Sequence, residues 1–411
     1  MEQRDIVIAG GGMVGVSLAL QLAFSLPENI RITLVESFAL PGPGGAPEYH
    51  PSFDARSTAL SFSSQKIYQA MGIWPELERW LCPINTIHVS NRGHFGSTVL
   101  RAQDYQWPAL GHVVENAWLG NALLQALHRQ GRVELMSPAK VSAVTPLPRG
   151  VELALEGSGS KRTRAQLLIV ADGVDSGLRE SLGMAVRSKS YGQHAVIANV
   201  AFASPHKGCA FERFTRHGPL ALLPLLPARS GEHRSALVWT LLPERAEQLV
   251  ACEEEEFLRA LQAAFGYRLG RMRQVGKRLT YPLTLLQSRE QVRQGVVVMG
   301  NAAHTLHPVA GQGFNLALRD VAQLAATLAG AAGPDNLGEL RLLQRYHRRQ
   351  LQDQQRTIAA SDILPQLFSH SDPLLTLARD TALSGLDITP FLKRGFVRYA
   401  AGLAALGDAR D

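Results

Sequence analysis

The sequence predicts a mixed α/β protein, in which a parallel sheet with flanking helices is interrupted by an antiparallel sheet and followed by a helical C-terminal tail. Two observations support this prediction. The first 35 residues read as strand, glycine-rich turn, helix and strand, which is the start of a parallel sheet. Between about residues 184 and 285, stretches such as Val196–Val200 and Ala236–Thr240 show the alternation that is typical of antiparallel strands.

The individual elements follow from the spacing of apolar residues. Asp5–Ala9 and Ile30–Val35 are short apolar runs that predict strands, and Val14–Ser25 between them carries apolar residues on one helical face. The same criteria predict further elements, in chain order helices over Ser64–Met71 and Leu119–Gln130, strands over Gly150–Ala154, Ala165–Val170 and Gly295–Gly300, and a long helix over residues 313–329.

Three charged segments complete the assignment. Lys161–Arg164 lies between two predicted strands and is interpreted as a solvated hairpin loop. The acidic run Glu253–Glu256 predicts the first turn of a helix that ends near Phe265, because acids there complement the helix dipole. From about residue 338 the chain is rich in Arg and is predicted to be helical.

The composition excludes several classes of protein. With 411 residues, of which 45% are apolar and 19% charged, and a mean hydropathy of −0.03, the chain is neither disordered nor a multi-span membrane protein. The cysteines Cys82, Cys209 and Cys252 are far apart, which excludes a disulfide scaffold and a zinc–cysteine module. Because the N-terminus also carries no signal-peptide pattern, we expect a cytoplasmic protein. A position at the inner face of the membrane is compatible with this expectation.

A glycine motif at the first turn predicts a dinucleotide site. Gly10–Gly15 fits the pattern G-x-G-x-x-G, follows a strand and opens a helix. In this motif Gly10 allows the tight turn, Gly12 lets the backbone approach a pyrophosphate, and Gly15 lets helix and strand pack closely. The free N–H groups of the helix bind the phosphates, and Glu36 at the end of the second strand accepts hydrogen bonds from a ribose. An acid at this position fits either NAD or FAD.

Two later segments resemble the flavoprotein aromatic hydroxylases. Residues 167–176 contain an Asp172-Gly173 turn that is similar to the family's Asp-Gly motif, which lies near the flavin's linker and the path of the nicotinamide nucleotide. Residues 300–315 are similar to the family's second flavin motif, with Asn301 where the family usually has the Asp that binds the ribityl chain. The resemblance implies that the N–H groups of the helix after Gly311 stabilise negative charge on the reduced flavin.

Within that class, the chain is most similar to the ubiquinone-biosynthesis hydroxylases. Asn301 matches the variant of the motif in that subfamily. His88–His94 and Phe265–Gly270 look most like the family member that acts on 2-polyprenyl-6-methoxyphenol. The resemblance also extends over shared blocks at 53–61, 191–193, 212–220, 281–283 and 301–320. Many relatives carry Arg near Asn116, so the resemblance assigns no flavin contact to Asn116.

The resemblance implies a discontinuous domain organisation. A Rossmann-like FAD-binding domain is expected over residues 1–75, 104–183 and 287–345, a substrate domain over 76–103 and 184–286, and C-terminal helices over 346–411. The expected cofactor-binding residues are Gly10, Gly12, Met13, Val14, Gly15, Glu36, Arg56, Asp172, Gly173, Asn301, Pro308, Gly311, Gly313, Phe314 and Asn315.

The activity implied by the resemblance is that of an FAD-dependent monooxygenase. It would hold FAD tightly, use NADPH or NADH transiently and O₂ as co-substrate, and convert 2-polyprenyl-6-methoxyphenol to the 1,4-benzoquinol through a flavin C4a-hydroperoxide. No catalytic acid or base is assigned, because the flavin supplies the chemistry. Three alternatives stay open: a sibling hydroxylase acting on another ring carbon, an FAD oxidase or dehydrogenase without oxygen transfer, and a flavin-binding subunit of a lipid-synthesis complex.

Several residues keep two interpretations. Arg56 would pair with cofactor phosphates or with Asp54, and Arg213 and Phe214 would line the substrate pocket or be ordinary sheet residues. His304 and His307 are spaced i, i+3 but have no third ligand nearby, so no metal site is predicted.

The net charge of +7 raises the question of partners. The basic run Arg268–Arg278 lacks a nucleic-acid motif and is interpreted as a solvated face, so no nucleic acid is expected. Thr389–Leu406 is predicted to be a basic amphipathic helix, which would contact an anionic membrane, a partner in a ubiquinone-biosynthesis complex, or the protein's own core.

Overall fold

The computed structural model describes residues 2–42, 44, 56–92, 97–157, 161–228, 231–308, 311–331 and 333–369, together with 397, 401 and 402. Its helices include two short ones and several long ones. In chain order they are α1 (Met13–Ser25), α2 (Phe62–Ala70), α3 (Trp74–Glu78), α4 (Asn116–Gln130), α5 (Gly177–Ser181), α6 (Pro243–Ala251), α7 (Glu254–Phe265), α8 (Gln312–Ala329) and α9 (Leu340–Ser369).

The strands form three sheets. In chain order they are β1 (Glu2–Ala9), β2 (Ile32–Val35), β3 (Ser57–Ser61), β4 (Cys82–Ile84), β5 (Thr86–Asn91), β6 (Ser97–Arg101), β7 (Gly111–Glu115), β8 (Val133–Met136), β9 (Lys140–Pro146), β10 (Val151–Glu156), β11 (Lys161–Val170), β12 (Val186–Phe202), β13 (Cys209–Thr215), β14 (Gly218–Pro224), β15 (His233–Leu241), β16 (Met272–Val275), β17 (Leu279–Ser288), β18 (Val292–Arg293), β19 (Val296–Val298) and β20 (His304–Thr305).

The first sheet has a parallel centre with the order β19-β11-β1-β2-β8. Its central strand β1 is buried on both faces, because Ile6 and Ile8 pack against α1, α4 and α8 while Val7 and Ala9 pack on the side of β9, β10 and α5. Burial on both faces explains why the sequence of this strand is a continuous apolar run rather than an alternating one.

The second sheet is mostly antiparallel and has the order β20-β17-β12-β15-β14-β13-β5-β6. One of its faces is covered by α6 and α7, where Phe257 and Leu261 pack against Leu237 and Trp239. The opposite face looks towards the first sheet. A small third sheet, β3-β7-β4, lies at the junction of the other two.

The predicted mixed α/β fold class is confirmed, and each predicted helix and strand that falls within the described residues overlaps an observed element. The interpretation of Lys161–Arg164 as a loop is wrong. These residues form the first part of β11, where Lys161 and Thr163 pair with β10 and Thr163 also lies opposite Glu2 of β1. Pairing on two sides extends the strand into a basic segment that its composition does not favour.

Two further expectations relate to the end of the chain and to membranes. The predicted helix Thr389–Leu406 lies outside the described residues, apart from the single positions 397, 401 and 402. Within the described part of the chain, none of the helices has both the length and the apolar character that a membrane span requires. The predicted domain boundaries stay a prediction.

Candidate active site

A cavity of about 850 Å³ lies between the carboxyl end of the parallel sheet and the inner face of the antiparallel sheet. It is lined by the glycine turn before α1, by β3, by the segment before α8 and by β5, β6 and β13–β15. This position matches the general rule that open parallel sheets bind ligands beyond the carboxyl ends of their strands. The volume is in the range of cofactor and small-molecule sites.

The glycine turn allows unusually close backbone contacts. A Cβ atom on Gly15 would lie 1.9 Å from the carbonyl oxygen of Gly10, and one on Gly10, whose φ is +113°, would lie 2.4 Å from the carbonyl oxygen of Ala171. Gly12 begins α1 with extended backbone and no side-chain cap. The first N–H groups of α1 therefore face the cavity without a side-chain acceptor at the cap, which suits a phosphate group.

Glu36 is positioned by the same turn. Its Oε2 atom accepts a hydrogen bond from the N–H of Gly11 at 2.5 Å, and its Oε1 atom accepts from the N–H of Phe38 at 2.9 Å. The carboxylate is buried and thus holds the glycine turn against the end of β2. Oε1 also accepts a hydrogen bond from the hydroxyl of Ser37 at 3.0 Å, so it is the second lone pair of Oε2 that can accept a hydrogen bond from a ribose hydroxyl group.

The second predicted flavin segment forms the opposite wall. Asn301 lies in a 3-10 turn and is exposed to the cavity, and Pro308 lines it as well. Gly311, at φ +59°, begins α8 without a side-chain cap, and Gly313 and Phe314 in the first turn also line the cavity. Two uncapped helix N-termini, those of α1 and α8, are therefore directed at one cavity.

Asn315 joins the start of α8 to β3 and α2. Its side-chain Nδ2 donates to the carbonyl oxygens of Ala59 and Gly311, both at 2.8 Å. Its Oδ1 atom accepts from the N–H of Ser61 at 2.8 Å and from the hydroxyl of Ser64 at 2.6 Å. Both ends of the amide are engaged with protein groups, so this residue shapes the cavity by holding three elements together.

The edge of the cavity near β3 carries polar groups. The guanidinium of Arg56 lies 5.3 Å from the centre of the Tyr281 ring, in cation–π geometry. Asn116, at the start of α4, is buried and accepts a hydrogen bond from the hydroxyl of Thr58 at 2.7 Å. Both Thr58 and Asn116 line the cavity.

The antiparallel sheet contributes an almost entirely apolar wall. Its lining side chains include Val89, Leu100, Ala210, Phe214, Ala221, Leu223 and Val238. Arg213, next to Phe214, is not among the lining residues, because side chains alternate along β13. Burial and the nearby charges of Arg268 and Arg92 lower its pKa.

One carboxyl group interrupts this wall. Glu212 lies on β13 between Val89 of β5 and Ala221 of β14. Its surface is partly accessible because it faces the cavity, yet the surrounding apolar groups exclude most water, and this desolvation raises its pKa to about 7.

The two histidines of the second flavin segment take different positions. His304 is buried, with its Nε2 atom 2.7 Å from Oδ2 of Asp320 on α8. His307 lines the cavity and packs edge-on against Tyr191, with ring centres 5.0 Å apart. Burial lowers the pKa of His307 to about 4, so it is neutral at neutral pH.

The structure brings most of the predicted cofactor residues to one cavity. Those that line it are Gly12, Met13, Val14, Arg56, Gly173, Asn301, Pro308, Gly311, Gly313, Phe314 and Asn315. Gly10, Gly15 and Glu36 lie just behind it in the glycine turn, and Asp172 accepts a hydrogen bond from the N–H of Leu178 at 3.4 Å at the start of α5. The glycine cradle and the two uncapped helix ends fit FAD.

Sequence reasoning assigned no role to Glu212, Thr58 or Thr98, although all three line the cavity. For Glu212 a signal was present, because it alternates with Ala210 and Phe214 and so shares their face. For Thr58 and Thr98 there was no signal, since each reaches the cavity only through the packing of distant strands.

Comparisons with known proteins agree with this geometry. The family model described as "FAD binding domain" matches residues 3–361. The chain is 35% identical to "Ubiquinone hydroxylase UbiL" of Rhodospirillum rubrum over 98% of this chain and 90% of that protein, and 32% identical to "3-demethoxyubiquinol 3-hydroxylase" of Escherichia coli over 98% and 99%. Among solved structures, p-nitrophenol 4-monooxygenase PnpA from Pseudomonas putida superposes with a TM-score of 0.78 at 18% identity, covering 98% of this chain and 99% of that one, which shows a shared fold.

Cavity and comparisons lead to the same assignment. The uncapped ends of α1 and α8 and the glycine cradle fit a flavin, and two of the relatives that match nearly the whole chain are named as a ubiquinone hydroxylase and a 3-demethoxyubiquinol 3-hydroxylase. The chain therefore belongs to the FAD-binding-domain family, as an FAD-dependent aromatic hydroxylase of the ubiquinone-biosynthesis group.

Proposed function

We propose that this enzyme hydroxylates 2-polyprenyl-6-methoxyphenol to the corresponding 1,4-benzoquinol, with NADPH or NADH as reductant and O₂ as the oxygen source. The observation that carries the proposal is the contrast between the two walls of the cavity. One wall presents two helix N-termini and polar groups suited to FAD, and the other is an apolar sheet suited to a phenol with a hydrocarbon chain.

Each wall has a distinct part in the reaction. Bound FAD would supply the electron transfer from the nicotinamide and the activation of O₂. The α1 terminus would hold the phosphates, and the α8 terminus would favour negative charge at the ring edge next to it. The apolar side chains of β13–β15 would exclude water and orient the phenol ring.

A second candidate is hydroxylation at another ring carbon of the same class of compound. It is favoured by the 32% identity to the Escherichia coli protein named 3-demethoxyubiquinol 3-hydroxylase, which extends over nearly the whole of both chains. Both candidates need the same flavin chemistry and the same apolar cavity, and they differ in how the ring is turned.

Product analysis with labelled oxygen tests the proposal. The FAD-loaded protein is given NADPH or NADH, oxygen-18 gas and a short-chain 2-prenyl-6-methoxyphenol, and the product is examined by mass spectrometry. We expect label in the new hydroxyl group para to the phenol. Nicotinamide oxidation without label would instead indicate an oxidase or dehydrogenase. Preferential turnover of the 3-demethoxyubiquinol analogue in a parallel assay would support the second candidate.

A further inference from the structure

Glu212 is a chemically isolated group in the cavity. Among the described residues that line it, the ionisable ones are Arg56, Glu212 and His307, and Glu212 is the sole acid. Arg56 stacks over Tyr281 and His307 packs against Tyr191. Within the described part of the chain, the Glu212 carboxyl group has no hydrogen-bond or ion-pair partner.

The neighbours of Glu212 on the sheet are apolar, so they do not stabilise its carboxyl group. Its register partners are Val89 and Ala221, and the adjacent positions on its face of β13 are Ala210 and Phe214. The charged residues Arg213 and Arg268 belong with the opposite face of the sheet, where Arg268 contacts His88. A carboxyl group facing an apolar cavity without a partner costs free energy, and such groups concentrate at functional sites.

We propose that Glu212 binds the phenolic hydroxyl of the substrate and accepts its proton as the ring is hydroxylated. This inference rests on the proposed function. It places the polar head of the substrate at Glu212 and its hydrocarbon chain along the apolar side chains of the remaining wall. The desolvated carboxyl titrates close to neutral pH, which is the range in which a general base is most effective.

One oxygen atom of O₂ bonds to the ring carbon ortho or para to the phenolic oxygen as the O–O bond breaks. The nicotinamide supplies the electron pair that reduces the other atom to water, and solvent supplies protons for this water and for the new hydroxyl group. As the C–O bond forms, the phenolic O–H bond breaks, its proton passes to the Glu212 carboxylate and the ring becomes a dienone. Loss of the C–H proton from the hydroxylated carbon to solvent then restores the aromatic ring, and Glu212 returns its proton to the dienone oxygen.

Turnover by the FAD-loaded Glu212→Gln variant gives the first test. We expect kcat/KM for hydroxylation to fall by about a hundredfold or more, in the range typical of general base catalysis, and the rise of kcat/KM with pH near neutrality to disappear. Glu212→Asp should retain that rise at an intermediate rate. The matched control, Glu244→Gln, removes an exposed acid outside the cavity and should behave like the wild type. The proposal would be overturned if kcat/KM of Glu212→Gln were reduced by the same factor at every pH and still rose with pH near neutrality.

Binding without turnover gives the second test. With the nicotinamide withheld, 2-methoxy-4-nitrophenol is titrated by the visible absorption of its phenolate while bound to each FAD-loaded protein. A carboxylate beside the hydroxyl disfavours a second negative charge, so the bound phenol should have a higher apparent pKa in the wild type than in Glu212→Gln. Equal values, or no binding by the wild type, would overturn the inference. A Glu212-dependent difference without labelled product would support Glu212 as the group that binds the phenolic hydroxyl, and would contradict the proposed hydroxylation and with it the role of Glu212 as its base.

Discussion

Gly15 shows how a single atom decides whether the cofactor site can form. In the glycine turn, the α carbon of Gly15 approaches the carbonyl oxygen of Gly10 so closely that a methyl group would lie 1.9 Å from it. Both atoms belong to the backbone of a buried turn, so neither can rotate away as a flexible side chain would.

Replacement of Gly15 by Ala should therefore displace α1 from the turn. We expect a loss of stability of about 1–3 kcal/mol and loss of bound FAD, measured as flavin absorbance after gel filtration. Gly177→Ala is the matched control, because a Cβ atom at Gly177 meets no atom within 4 Å. A Gly15→Ala protein that keeps its flavin would contradict this reading of the turn.

The side chain of His112 is expected to make the fold less stable at low pH. It lies on β7 against Trp74, with ring centres 5.0 Å apart, and its Nδ1 atom has no hydrogen-bond partner in the described residues. Burial lowers its pKa from 6.5 to about 4, so the folded state holds it neutral.

Between pH 6.5 and 4 the unfolded chain binds a proton at His112 that the folded chain does not, so stability falls as the pH is lowered through this window. At 1.36 kcal/mol per pKa unit, the loss is at most about 3 kcal/mol. We expect His112→Phe, which keeps the ring packing, to show a smaller difference in the free energy of urea unfolding between pH 7 and pH 4.5 than the wild type. His307, with a similar pKa, accounts for part of what remains.

At the scale of elements, α8 connects the cavity to the helical layer behind it. Its first turn is tied to β3 and α2 through Asn315, and its middle carries Asp320, which is 1% exposed. Asp320 meets His304 at 2.7 Å and accepts a hydrogen bond from Gln354 of α9 at 2.9 Å. This buried network fixes the position of α8 relative to α9 and to the segment that carries Asn301.

Removal of the Asp320 carboxylate should loosen this arrangement. Asp320→Ala removes an acceptor from both His304 and Gln354, although Gln354 keeps its hydrogen bonds with Gln291, and we expect a loss of about 1–3 kcal/mol in denaturant unfolding. Asp320→Asn retains one acceptor and should lose less than half as much. Equal losses in the two variants would show that the hydrogen bonds of the network contribute little.

At the scale of the whole molecule, a polar clamp joins the small sheet to the antiparallel sheet. Glu115 at the end of β7 accepts two hydrogen bonds from Arg234 of β15, at 3.0 and 2.6 Å, and a third from Asn199 of β12 at 3.3 Å. Both charged side chains are about one-fifth exposed, so solvent screens the pair only in part. The clamp helps to set the distance between the two walls of the cavity.

A double-mutant cycle on Glu115 and Arg234 measures this connection. We expect a coupling free energy of about 1–3 kcal/mol, with the double alanine variant hardly less stable than either single one. The same cycle on Glu152 and Arg162, a pair whose Arg side chain is 74% exposed, should give less than about 1 kcal/mol. A coupling at Glu115 and Arg234 no larger than this control would contradict a role for the clamp.

Much of the fold and of the site followed from local patterns. The strand–glycine turn–helix unit, the buried strand at 296–298 and the start of α8 were predictable because each depends on residues close in sequence. The first part of β11 was not, since pairing with β1 and β10 made a strand of a basic segment that resembles a loop. Tertiary pairing overrode local preference there.

The sequence by itself determined the family, the flavin motifs and the alternation that gives each sheet a buried face, because these are encoded within short stretches. Only the tertiary structure decided which side chains meet in the cavity. Asn315 bonds to Ser61 across 254 residues, and Glu212 lines the cavity beside Val89 of β5 and Ala221 of β14. Such contacts depend on how sheets pack against each other, and no local pattern specifies that packing.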